Sequence, residues 1–170
     1  GECIMEFVYA YAYFILYAFL GWVCEDLYCG IPAKKFINRG FFYGPYCPIY
    51  GVGALLVLYP LLFVKDYPIL VFILGVIITS TLEYITSWVM EILFKTRWWD
   101  YSERFMNING RVCLLNSTLF GIMSIVVVYI IHPVIQDIVL DIPLTALMSF
   151  LSAFTIGFGI DCVFTVLALL

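Results

Sequence analysis

Five long apolar segments constrain this chain more than any other feature of its sequence. A helix needs about 20 mostly apolar residues to cross the hydrocarbon core of a bilayer, which is about 30 Å thick. The runs are continuous rather than short and alternating, which argues against membrane strands. The sequence therefore predicts an all-α polytopic membrane protein, a five-helix transmembrane bundle in a single domain, 1–170. The predicted spans are approximately 4–24, 48–64, 68–94, 112–131 and 142–170.

The composition excludes a soluble domain and gives no sign of a nucleic-acid partner. The 170 residues are 65% hydrophobic and 12% charged, with a mean hydropathy of +1.07. A soluble domain carries about 25% charged residues, so this chain cannot cover a globule with polar surface. It has no basic patch of the kind that binds nucleic acid. Membrane lipids are therefore the expected surroundings.

The basic residues predict the orientation of the chain in the membrane. Segment 26–46 contains three of the eight Lys and Arg residues, and segment 95–111 contains four. Both segments lie on the same side if five helices alternate. The positive-inside rule then places the amino terminus outside and the carboxyl terminus inside. The last loop is expected at 132–141, between His132-Pro133 and Ile142-Pro143, because proline interrupts helices.

Glu83 lies inside the apolar segment 68–94, where a carboxylate is costly unless it is neutralised, paired or hydrated. Ser80, Ser87 and Glu91 share its helical face. We interpret this face as a candidate functional site. The alternative is a structural acid paired with an arginine from one of the connections, with Glu91 as a simple interfacial acid.

The connections 34–51 and 95–113 are rich in aromatic residues and glycine, and each contains arginine. Solvated loops rarely have this composition, so both are expected to fold back against the bundle. An interfacial aromatic belt with anchoring arginines is the alternative. No cofactor and no metal site are predicted, since the chain has one histidine and no CxxC pair. The predicted ligand-binding residues, in a cavity open to the cytoplasmic side, are Glu25, Asn38, Arg39, Tyr43, Glu83, Glu91, Asp100, Asn107, Arg111 and Ser117.

The sequence leaves the meaning of three further features open. Asp161 is a second acid within an apolar run, and it could serve the site or pair structurally. Cys47 and Cys113 each follow an arginine-containing connection. This arrangement suggests weakly that the first two helices and the next two are related by a parallel repeat.

Several sequence blocks resemble a known family. The blocks are Gly21-Trp22 with Glu25, Asn38-Arg39-Gly40, Tyr43-Gly44-Pro45, Cys47-Pro48-Ile49-Tyr50-Gly51, Glu83-Tyr84, Trp98 with Asp100-Tyr101-Ser102, and Asn107 to Cys113. They resemble a family of small bacterial membrane proteins, the CmpB-like putative ABC-transporter permeases, to which vertebrate transmembrane protein 229 is similar. The resemblance implies a multi-pass protein of the bacterial cytoplasmic (inner) membrane. The chain has no GxxxxGK[ST] phosphate loop, so an ATPase would be a separate subunit.

Three functions follow from these observations. The first is a binding or transport protein for a small polar solute or a lipid headgroup, in which arginines hold an anionic group. The second is an intramembrane enzyme for a lipid or lipid-linked substrate, with carboxylates or the thiols of Cys47 and Cys113 as reactive groups. The third is a non-catalytic scaffold, as a homo-oligomer or as a separate transporter subunit. We favour the first.

Overall fold

The computed structural model describes residues 1–34 and 42–170, apart from the side chains of Cys29 and Ala33. This part of the chain is helical and contains no strand, which confirms the all-α prediction. Each of the five predicted apolar segments contains a helix. The helices are α1 (Glu2–Ala33), α2 (Pro48–Leu62), α3 (Pro68–Phe94), α4 (Leu114–Val126), α5 (His132–Asp141) and α6 (Leu144–Leu169), with a π-helical turn, Val127–Ile131, between α4 and α5.

Four of the described helical stretches are long and apolar enough to cross a membrane. They are Glu2–Pro32, Pro68–Phe94, Leu114–Asp141 and Leu144–Leu169. The fifth predicted span corresponds to α2, an apolar helix of 15 residues. At 1.5 Å per residue it measures about 22 Å, which is shorter than the hydrocarbon core. The structure thus has the five predicted helices, four of them with full spanning length.

The prediction of a loop at 132–141 is wrong. These residues form α5, which continues the helical stretch that begins at Leu114. Proline lacks an N–H and its ring presses on the preceding turn, which usually ends a helix. Here a π-helical turn precedes Pro133, and the N–H of His132 bonds to the carbonyl of Val127. The wider π turn makes room for the proline ring, so the helix continues.

The chain divides into two compact units. Unit 1 comprises Gly1–Leu55 and Val134–Leu170, and unit 2 comprises Leu56–Pro133. In unit 1, α1 contacts α6 through the hydroxyls of Tyr11 and Thr155, whose oxygens are 2.6 Å apart. The prediction of one domain over 1–170 stays a prediction.

Small residues bring α3 and α4 close together in unit 2. A Cβ atom at Gly75 would collide with the Ser124 side chain. The Ser80 hydroxyl donates a hydrogen bond to the Ser117 Oγ at 2.7 Å. Small residues at such contacts allow helix backbones to approach closely in membrane proteins. This packing holds the polar face of α3 against α4.

The helices α1 and α2 pack in a similar way within unit 1. A Cβ atom at Gly21 would collide with the Tyr50 ring, and one at Gly51 would collide with Phe14. The backbone N–H of Cys47 donates to the carbonyl of Ala18 at 2.9 Å. These contacts fix the start of α2 against α1.

The two helical pairs share one spacing. The second helices of the pairs, α2 and α4, begin at Pro48 and Leu114, which are 66 residues apart. The packing contact between residues 14 and 51 recurs between residues 80 and 117 at the same offset. Glu25 and Glu91, and Cys47 and Cys113, are also 66 positions apart. The pairs therefore have equivalent starts of their second helices and equivalent packing positions.

Candidate functional site

The centre of the candidate site is an ion-pair cluster of Glu91, Arg97 and Arg111, called here the arginine cluster. Glu91 lies in the last turn of α3. Its Oε2 accepts hydrogen bonds from the Arg111 NH2 group at 2.6 Å and from the Arg97 Nε at 3.2 Å. Hydrogen bonds between charged groups are stronger than neutral ones. One carboxylate oxygen thus joins two guanidinium groups of the connection 95–113 to α3.

Arg111 is the buried member of this cluster, with 8% of its surface exposed. Its NH1 group donates to the Ser87 Oγ at 3.0 Å, and its guanidinium carbon lies 5.6 Å from the centre of the Tyr84 ring. The latter is a cation–π contact. Ser87 and Glu91 thus receive the arginine on the α3 face that the sequence singles out.

Glu83 has a described contact with a tyrosine of the connection 95–113. It is 7% exposed, and its Oε1 accepts a hydrogen bond from the Tyr101 hydroxyl at 3.1 Å. The same hydroxyl accepts a bond from the Asn116 Nδ2 at 2.5 Å. Burial, together with the nearby Glu83 carboxylate, raises the pKa of Tyr101, so the phenol remains a donor. Glu83 is therefore linked to α4 through Tyr101 and Asn116.

Sequence reasoning missed Tyr101 and Asn116 as site residues. Tyr101 lies within a block that carries the family resemblance, and Asn116 is a polar residue in an apolar helix. Both features could have marked these residues as candidates for the site. Neither indicated a contact with Glu83, because that contact depends on how residues 95–113 fold.

Asp100 and Asn107 organise the backbone of the connection. The Oδ1 of Asp100 accepts bonds from the Ser102 N–H at 2.9 Å and from the Ser102 hydroxyl. These bonds, with the nearby Arg97, lower the pKa of Asp100. The Nδ2 of Asn107 donates to the carbonyls of Ser102 and Arg104 at 3.1 and 2.9 Å. The sequence predicted both as ligand contacts, and their described contacts lie within the loop.

The predicted folding-back of residues 95–113 is observed only in part. Arg111, Val112 and Cys113 are buried, and the Trp99 indole donates to the Arg111 carbonyl at 3.0 Å. Residues 102–106 are exposed. The end of the connection that leads into α4 therefore packs against the helices, and its middle does not.

The predicted site residues fall into three groups. Glu25 and Tyr43 lie in unit 1, where Glu25 accepts a hydrogen bond from the Tyr50 hydroxyl. Asn38 and Arg39 lie outside the described residues. The remaining six lie within unit 2, where the described contact among them is the ion pair of Glu91 and Arg111; the others are Glu83, Asp100, Asn107 and Ser117. Convergence of all ten in one cavity stays a prediction.

A second polar centre in unit 1 surrounds Asp161 of α6. Its carboxylate accepts hydrogen bonds from the N–H groups of Tyr43 at 3.1 Å and Gly44 at 2.7 Å. The Tyr46 hydroxyl also donates to it, and the Thr165 Oγ1 donates at 2.8 Å. Burial, together with the hydrogen bond from Tyr46 to Asp161, raises the pKa of Tyr46. Asp161 thus anchors the segment before α2 to α6.

Cys47, beside this segment, is buried and poorly suited to thiolate chemistry. Burial and the nearby Glu25 and Asp26 raise its thiol pKa to about 11. Reactive cysteines instead have thiol pKa values lowered by cationic surroundings. Cys113, at the equivalent position before α4, is also buried.

Helices of spanning length and an apolar composition define a helical integral membrane protein. Residues 12–166 match the model of the ABC_trans_CmpB family, described as "Putative ABC-transporter type IV", and the chain belongs to this family. Comparisons with curated proteins and with solved structures gave no match. Family membership and the apolar helices make this a transport-related membrane protein.

Proposed function

We propose that this protein binds the anionic group of a small polar solute or of a lipid headgroup at the arginine cluster, as one step of transport. The observation that carries the proposal is the sharing of one Glu91 oxygen by two guanidinium groups. The planar guanidinium fork suits carboxylate and phosphate groups. A site with two such groups and one central carboxylate can accept an anion at its open side.

Arg97 is the member of the cluster that a ligand can reach. Its side chain is 32% exposed, whereas that of Arg111 is 10% exposed. Its contacts with Glu91, Asn109 and Asp100 use Nε and NH1. Among the described contacts, its second terminal nitrogen is left for a ligand. Arg111 would then hold Glu91 in place while Arg97 contacts the anion.

We also infer that this cluster faces the cytoplasm of a bacterial cell, in its inner membrane. The inference rests on the seven basic residues of segments 26–46 and 95–111, which lie on one side if α2, although shorter than the hydrocarbon core, also crosses the membrane. A fluorescent-protein fusion at Leu170 would then fluoresce in the cytoplasm. A carboxyl terminus accessible only from outside would reverse the orientation.

A separate ATPase subunit is the expected partner.

A thermal-shift measurement on the purified protein in detergent tests the binding proposal. The probes are inorganic phosphate, citrate and a short-chain phosphatidylglycerol, so that solute and lipid binding are distinguished. At least one probe should stabilise the wild type, because a ligand that binds only the folded state raises its stability. Arg97→Ala should abolish this shift. Arg104→Ala, an exposed arginine in the same connection, is the matched control.

Equal shifts in the wild type and in Arg97→Ala would contradict the proposal. A shift with phosphatidylglycerol alone would identify a lipid headgroup as the ligand class. A shift with phosphate or citrate would identify a soluble anion.

A purely structural role is the second candidate, because Arg111 is buried and contacts Ser87, Glu91 and Tyr84. Exchange of the two charges, Glu91→Arg with Arg111→Glu, distinguishes the candidates. Recovery of both folded yield and transport phenotype would favour the structural role. Recovery of folding alone would favour ligand binding.

The intramembrane-enzyme alternative gains no support from the two thiols. The pKa of Cys47 is raised to about 11, and Cys113 is buried. The double variant Cys47→Ser, Cys113→Ser is therefore expected to keep its function in cells.

A further inference from the structure

The connection 95–113 exposes three large apolar side chains at its tip. Phe105, Met106 and Ile108 are 77%, 64% and 59% exposed, and we call them the apolar tip. Clusters of exposed apolar residues usually mark a contact with another molecule or with a membrane. The tip lies outside the contacts that hold the arginine cluster together.

Hydrogen bonds hold the tip in a defined conformation. The Asn107 side chain donates to the carbonyls of Ser102 and Arg104 and accepts a bond from the Gly110 N–H at 3.0 Å. The Ile108 N–H donates to the Val112 carbonyl at 3.0 Å. A surface ordered before binding loses less entropy when it binds. The tip is therefore exposed without being a loosely tethered loop.

The backbone of the tip is also strained. Met106 and Asn109 have φ angles of 49° and 54°, in the left-handed region that non-glycine residues rarely adopt. Such conformations cost on the order of 1–3 kcal/mol each and often occur at binding sites. The surrounding hydrogen bonds thus keep the apolar side chains outward at a cost in stability.

One hydrogen bond indicates the depth of the tip relative to the membrane. The N–H of Leu114 donates to the carbonyl of Phe105 at 3.5 Å. Leu114 is the first residue of the spanning stretch Leu114–Asp141. Phe105 therefore lies beside the level at which the polypeptide enters the bilayer. The exposed side chains of Leu114 and Leu115 extend the apolar surface from the tip onto α4.

We propose that the apolar tip inserts into the headgroup region of the same bilayer, so that its partner is membrane lipid. Apolar side chains at the boundary between headgroups and acyl chains bind membranes in this way. Insertion sets how deep the connection 95–113 lies in the bilayer. Because Arg97 and Arg111 belong to this connection, insertion also sets the depth of the arginine cluster.

Photo-crosslinking of the full chain in its own membranes tests the inference. The photoreactive residue p-benzoylphenylalanine replaces Phe105 in one variant and the exposed Glu103 in a matched control. Mass spectrometry should find lipid adducts at position 105 in clear excess over position 103. Adducts at 105 to another protein, or no excess of lipid adducts, would overturn the proposal.

A conservative aromatic substitution gives a second test that does not depend on tolerance of the photoreactive residue. Phe105→Trp adds fluorescence to that of the wild type, and the added signal is measured in vesicles. Lipids brominated near the ester carbonyl should reduce the added signal about twofold, as expected for an interfacial side chain. Reduction only by aqueous acrylamide would contradict insertion. Neither test involves the anionic ligand, so failure here leaves the binding proposal standing.

Discussion

The helical pairs α1–α2 and α3–α4 pack through residues at equivalent positions, yet their polar chemistry differs. In the first pair, Glu25 accepts a hydrogen bond from the Tyr50 hydroxyl of α2. In the second, the equivalent Glu91 binds two arginines from the connection. Helix spacing therefore sets the position of each acid. The residues that reach the acid decide whether its partner is a hydroxyl group or a pair of guanidinium groups.

The connections also differ in what holds them. Residues 43–46 are bound to Asp161 of α6, which is outside the helical pair they join. Residues 97–111 are bound mainly to α3 and to one another. Residues 43–46 thus depend on a distant helix, and residues 97–111 are largely supported by their own pair. Four predictions test this contrast, from the largest expected effect to the smallest.

The largest effect is expected for Arg111→Ala. Loss of a partner from a buried ion pair costs about 3–5 kcal/mol, and partial exposure of Glu91 lowers the expected loss to about 2–4 kcal/mol. Thermal or denaturant unfolding in detergent measures the change. The exposed Arg104→Ala should change the free energy of unfolding by less than about 0.5 kcal/mol. Equal effects of the two substitutions would mean that the cluster does not support the second connection.

Asp161→Ala should release the first connection and leave the second in place. The carboxylate accepts four hydrogen bonds, but Asp161 is partly exposed and water can replace them, so the total loss should be about 1.5–3 kcal/mol. Maleimide labelling of Cys47 should become faster, and that of Cys113 should not change. Asp137→Ala, an exposed acid on α5, is the matched control. Faster labelling of both cysteines would show general unfolding and remove the contrast.

The equivalent substitutions Glu25→Gln and Glu91→Gln compare the two acids directly. Glutamine keeps the size and an acceptor oxygen but removes the charge. Because Glu91 pairs with two guanidinium groups, its substitution should lower the free energy of unfolding more than that of Glu25, whose described partner is one hydroxyl. Unfolding measured at low and at high salt gives the change in the free energy of unfolding for each variant. A larger loss at Glu25 would reverse the assignment of the ion-pair cluster to the second pair.

The smallest effect at neutral pH concerns the Cys47 thiol. Its pKa of about 11 lies above that of a free cysteine, so burial favours the neutral thiol. The thiolate fraction rises about tenfold per pH unit below the pKa. Alkylation of Cys47 should therefore be slow at pH 7 and still be rising at pH 10. A plateau near pH 8 would indicate an activated thiol and revive the enzyme alternative.

Local pattern was sufficient to predict the helices and the polar face of α3. Long apolar runs predicted all five helical segments, and α3 has the predicted bounds, 68–94. The spacing of Ser87 and Glu91 predicted that they share a face, and Arg111 contacts both. The error at 132–141 arose because a proline signal was read without the π turn that precedes it.

Sequence alone determined that this chain is helical, belongs in a membrane and contains costly polar groups in its spans, because these properties follow from composition and helical period. Tertiary structure decided which groups meet. Glu83 contacts Tyr101, which is 18 positions away in the sequence, and Asp161 contacts Gly44, which is 117 positions away. Hydrogen-bond and ion-pair energies fall steeply with distance and angle. Partner choice therefore depends on where the two connections fold, which no local pattern specifies.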